Sequence, residues 1–69
     1  MENLMDGLFL EIKRVREIRQ EYLAPELNET GKIAAFIIGM DIEVAEQAIK
    51  ENDVIKMLRS YSKLTEYEL

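Results

Sequence analysis

Neither cysteine nor histidine occurs in the 69 residues. No disulfide can staple the chain, and the usual zinc ligands are missing. Without histidine, Ser60 and Ser62 have no imidazole to activate them as nucleophiles. No glycine-rich turn is present, and Gly31-Lys32 lacks the preceding glycine and strand that a phosphate loop requires. Long apolar runs are also missing. The longest, Ile33 to Met40, is bracketed by Lys32 and Asp41 and falls far short of the roughly 20 residues that cross a bilayer. No basic segment precedes the first apolar residues, where Glu2 and Asp6 stand instead, so no secretory signal is expected and the predicted location is cytoplasmic.

Positive charge is in short supply, with 9 basic against 14 acidic residues and a net charge of −5. Such a balance argues against nucleic acid or an anionic membrane as the main partner. The signs are nevertheless grouped. Lys13, Arg14, Arg16 and Arg19 form a basic block, Asp41 to Asp53 is acidic, and Lys56, Arg59 and Lys63 turn basic again. Glu11, Glu17 and Glu21 dilute the first block and predict pairing within the helix, as between Glu17 and Lys13 or Arg14. Basic blocks likewise interrupt the long negative surface that a protein mimicking nucleic acid would need.

What the chain has in quantity is apolar residues, 48% of the total. That content argues against disorder. A domain this short has a marginal core, and with disulfides and zinc excluded, oligomerisation is the remaining common way to complete it.

The fold class predicted is all-α, a single domain over 1-69 with helices at about 3 to 23, 30 to 51 and 53 to 64. Asn3 is placed to cap the first, and Leu4, Leu8, Ile12, Val15, Ile18 and Tyr22 make one apolar stripe, widened by Met5, Phe9 and Leu23. Leu10 lies off the stripe. Pro25 stops this helix or opens a further turn at a first helical position, with Asn28 or Thr30 as the next cap and Leu27 tucked under the connection. Asn52 suits a left-handed helix end and Asp53 the following cap. A connection that short makes the second and third helices an antiparallel hairpin, and Ala45 to Leu64 looks like one helix-turn-helix unit of a helical repeat. Val54, Ile55, Leu58, Tyr61 and Leu64 are expected inward, and Thr65 to Leu69 loose.

The second helix organises the rest. Ile33, Phe36, Ile37, Met40, Val44 and Ala48 recur at three and four, with Ala45 and Ile49 one step round, and are expected to face the core. Gly31, Ala35 and Gly39 form a ridge of minimal side chains that lets another backbone come close. A glycine inside a helix costs about 1 kcal/mol relative to alanine, so Gly39 implies a compensating contact. That ridge can pack on the chain's own first helix or on a second copy.

One carboxylate pattern bears on chemistry. Glu26-x-x-Glu29 followed by Glu43-x-x-Glu46 resembles the four-carboxylate motif of all-α nucleotide pyrophosphohydrolases. The resemblance would imply magnesium held against a nucleotide's phosphates. It departs from that family in that the first pair follows Pro25 in the connection, and the last position is glutamate where the family has aspartate. Surface carboxylates explain the same residues. Size, acidity and the lack of catalytic groups point instead to a non-catalytic interaction or regulatory protein without cofactor, acting through a homodimer on another protein. An inhibitor that mimics nucleic acid, or an accessory protein of a phage or mobile element, is the alternative. Interface residues are expected at Leu8, Ile12 and Val15 of the first helix and at Gly31, Ala35, Phe36, Ile38 and Gly39 of the second.

Overall fold

The computed structural model describes residues 3–68; Glu2 and Leu69, named above, lie outside them. The described residues form three α-helices, α1 (Leu4–Tyr22), α2 (Asn28–Lys50) and α3 (Val54–Thr65), with a 3-10 turn at Pro25–Leu27 between the first two. Pro25 therefore stops α1 and opens the extra turn. At the predicted caps, the Asn3 side chain accepts the amide of Asp6 at 2.9 Å and Asp53 that of Lys56 at 3.1 Å. α2 begins earlier than expected, at Asn28, with no side-chain cap. Its end closes as a Schellman turn: Asn52 takes φ 52°, and the amide of Asp53 donates to the carbonyl of Ala48 at 3.0 Å. α2 and α3 are thereby folded back on each other.

α1 uses the stripe that its spacing predicts. Leu8, Ile12, Val15 and Ile18 are buried, and Leu4, Met5 and Tyr22 pack at the margin. Phe9 and Leu23, expected to widen the stripe, are exposed. On α2 Ala45 and Ala48 are buried as expected and Ile49 packs at the margin, and the Gly31 and Ala35 ridge turns to the chain's own α1, but the large residues expected beside them do not follow. Gly31, Ala35, Ile38, Ile42, Ala45 and Ala48 face the core, whereas Ile33, Phe36, Ile37, Met40 and Val44 are exposed. On α3 Leu64 is buried as expected, together with Met57 and Ser60, whereas Val54, Ile55, Leu58 and Tyr61 are exposed. On α2 the small residues Gly31, Ala35, Ala45 and Ala48 share the inner face with Ile38 and Ile42, and they let the helices approach closely enough for each to gain many weak dispersion contacts.

Gly31 shows how close that approach is. A Cβ there would sit 2.1 Å from the backbone oxygen of Tyr22 and 2.6 Å from Cβ of Leu27. Leu27 accordingly touches the corner with its stem while the rest of the side chain is exposed. Gly39 differs: its added Cβ would meet the Arg19 side chain, with Nε at 3.3 Å. The mid-helix glycine thus accommodates an arginine that reaches across to donate to the Ala35 carbonyl at 3.1 Å.

The segment after α3 is tied down rather than loose. Arg14 donates to the carbonyls of Tyr67 at 2.8 Å and Leu64 at 2.9 Å, capping the end of α3. Glu11 orients that guanidinium by accepting from its Nε at 3.1 Å and from Nη2 at 3.0 Å, and this bond raises the pKa of Arg14. Glu11, not Glu17, is thus the intrahelical partner. The Tyr67 hydroxyl donates to Asp41 on α2, so one tail residue is held by both other helices.

Two expectations follow from this packing. Gly31→Ala must displace backbone and should destabilise the fold by about 1–3 kcal/mol, whereas Gly39→Ala needs only a small shift of Arg19 and should be neutral or stabilising by up to about 1 kcal/mol; thermal unfolding of the two variants measures the contrast. The Tyr67 phenol is pushed up from 10.0 to about 12, first by burial and then by its bond to Asp41. A raised folded-state pKa favours the neutral phenol, so this contribution is complete below the unfolded value near 10 and is lost as pH rises through about 12. Tyr67→Phe should therefore be less stable than wild type at neutral pH and lose less stability between those limits, as read from denaturant midpoints along a pH series.

Candidate interaction surface

The residues capable of chemistry are dispersed or already engaged. Glu29 pairs with Lys32 at 3.4 Å, Glu46 with Arg16, Glu26 lies in the 3-10 turn, and Glu43 is exposed on α2. Among the described residues, no group of three or more acidic side chains comes together in a way that could hold a metal ion, so the four carboxylates of the pyrophosphohydrolase-like pattern do not converge. Ser60 is buried in the bundle and Ser62 is exposed.

The basic block is largely consumed inside the chain. Arg14 caps α3, Arg16 pairs with Glu46 between α1 and α2, and Arg19 reaches the Ala35 carbonyl. Each tie has a local reason. All three arginines sit on the flanks of the buried α1 stripe, where a long side chain can cover apolar neighbours and deliver its charge to the next helix. Exposed Lys56 serves the α2–α3 turn in a similar way, donating to Glu51 at 3.1 Å. Bonds from Gln47 and Lys56, in that order, lower the pKa of Glu51.

What remains is apolar surface. More large hydrophobic side chains are exposed than buried among the described residues. Five of them, Ile33, Phe36, Ile37, Met40 and Val44, fall on one outer face of α2, each between 51 and 68% exposed. Their combined surface is several hundred Å², at the upper end of what a lone soluble protein usually leaves open in one patch. Val54, Ile55, Leu58 and Tyr61 form a second outer row on α3. The chain's total accessible surface, 5070 Å², exceeds the roughly 4500 Å² expected for a folded monomer of its mass. Its flatness contributes, the dimensions being 39 × 22 × 16 Å. Among the described residues no helix is long and apolar enough to cross a membrane.

The expected interface residues divide sharply against this surface. Leu8, Ile12, Val15, Gly31, Ala35 and Ile38 are buried within a single chain, Gly39 is half-buried beside Arg19, and Phe36 alone is open to a partner. The other four members of the α2 face were expected in the core. Their signal in the sequence is the 4-3-4 spacing of Ile33, Ile37, Met40 and Val44, the seam of an interhelical contact. Comparison with protein-family models, with curated proteins and with solved structures gives no match for this chain.

Proposed function

We propose that this protein is a non-catalytic interaction or regulatory module whose working form is a homodimer joined through the outer face of α2. The observation that carries the reading is the contiguous row Ile33, Phe36, Ile37, Met40 and Val44, left at half or more of its full exposure beside a completed internal seam. Burying apolar surface contributes about 25 cal/mol per Å². Covering this row in two copies thus supplies a favourable term that the small core of one chain lacks. The second row, on α3, is then available for another protein. The engagement of Arg14, Arg16 and Arg19 in ties within the chain weighs against the basic block serving as a contact for a nucleic-acid backbone.

Light scattering or sedimentation across a dilution series tests the assembly. Wild type should have the mass of two chains. Ile37→Asp should have the mass of one while keeping its helical circular dichroism, because Ile37 is outside the core. A wild-type protein that stays monomeric at every concentration would contradict the homodimer.

A further inference from the structure

The outer face of α2 carries enough pattern to specify how two copies would meet. Ile33, Ile37, Met40 and Val44 follow 4-3-4 spacing, which generates one continuous seam along a helix. The flanks of that seam repeat every seven residues. On one side stand Glu29, Phe36, Glu43 and Lys50, all exposed, and on the other Ala34 and Asp41, both half-buried, the next position of that flank, Ala48, being taken up by the chain's own core. These flanks distinguish the two possible directions of a second helix. In a parallel pair, unlike flanks face each other. Glu29 then meets Ala34, the bulky ring of Phe36 is set against the carboxylate of Asp41, and Glu43 has no counterpart because Ala48 is buried in its own chain. No opposite charges are brought together. In an antiparallel pair, like flanks face each other. Glu29 then lies beside Lys50 of the second copy, twice by symmetry, and Phe36 lies along the methylenes of Glu43.

The seam agrees with the flanks. Reversed about its midpoint it matches itself, with Ile33 level with Val44 and Ile37 level with Met40. This is the self-complementarity that a two-fold, isologous contact demands. Antiparallel alignment also sets the positive end of each helix dipole beside the negative end of the other. The five exposed side chains, several hundred Å² per copy, approach the ~800 Å² that each partner contributes to a standard interface, and the flanking groups add to it.

We infer that two copies pack antiparallel through α2, with Ile33 against Val44, Ile37 against Met40, and Glu29 paired with Lys50 across the two-fold axis. This arrangement rests on the homodimer reading above and adds the direction and register of the contact. The two-fold axis makes both ends of the assembly equivalent.

Because the chain has no cysteine, introduced thiols report on the contact without interference. Ile33→Cys and Val44→Cys chains carrying tags of different size are mixed, allowed to exchange and mildly oxidised, with the solution mass measured before oxidation. The expected product is the mixed 33–44 disulfide in large excess over 33–33 and 44–44. In the antiparallel register, equivalent positions lie eleven residues apart, about 16 Å along the helix, beyond the reach of a disulfide. A dimeric mass with mainly 33–33 and 44–44 products would overturn the antiparallel arrangement and leave the homodimer standing. So would a dimeric mass with no α2 cross-link. A monomeric mass would overturn both. Charge reversal gives a second readout: Glu29→Lys and Lys50→Glu should each weaken the dimer several-fold, and the two together should restore it. Failure of the double variant to recover would overturn the assigned pair.

Discussion

The tight corner where α1 turns into α2, at Gly31, constrains everything else. The space that a Cβ of Gly31 would occupy is already taken by the Tyr22 carbonyl and the Leu27 side chain. Ala35 follows one turn later and is buried, and Ala45 and Ala48 keep the inner face shallow toward α3. Once this small-residue seam faces inward, helical geometry decides the fate of the large residues. Ile33, Phe36, Ile37, Met40 and Val44 lie on the far side of the same helix and have no place in the core. An inner face of small residues together with Ile38 and Ile42, and an outer face of bulky ones, are therefore two consequences of one packing choice.

Polar groups at the edges hold that choice in place. Arg14 satisfies carbonyls at the end of α3, and Arg19 a carbonyl in the middle of α2. In both cases a charged donor on one helix is tied to the backbone of another, so the bonds secure the relative placement of helices more than an exposed ion pair would. Arg16 and Glu46 form such an exposed pair, which contributes mainly to alignment. Tyr67 shows the same economy at the carboxyl-terminal end: its ring packs against the core and its hydroxyl stays bonded to Asp41. The grouped charges of the sequence thus act first as internal ties.

Helix existence, order and every end but the start of α2 were legible in the residues because each has a local cause. Asn3, Pro25, Asn52 and Asp53 act through side-chain caps or backbone restrictions within a few positions of themselves. The α1 stripe was legible too, since its two faces differ clearly in polarity. The inner face of α2 was legible only at Ala45 and Ala48 and in the Gly31 and Ala35 ridge, because Ile33 to Met40 is apolar all round and offers two candidate faces for the large residues. Ranking them by bulk selects the wrong one, whereas closeness of approach favours Gly31, Ala35, Ala45 and Ala48. In α3 the same preference for bulk misplaced Val54, Ile55, Leu58 and Tyr61 while Ser60 took an inner position. Arg14 capping Leu64 spans 50 residues, and no local pattern announces a tie of that length.

The central claim is that one face of α2 completes the chain's own core while the other is covered by a second copy. Isotope-filtered NOE spectra of a mixture of labelled and unlabelled chains address it directly, since they report only contacts between molecules. Intermolecular signals should join the Ile37 and Met40 methyl groups and extend to Phe36, with none from Ala35 or Val15. Intermolecular signals from Ala35 and Val15 instead, or none at all from α2, would contradict it.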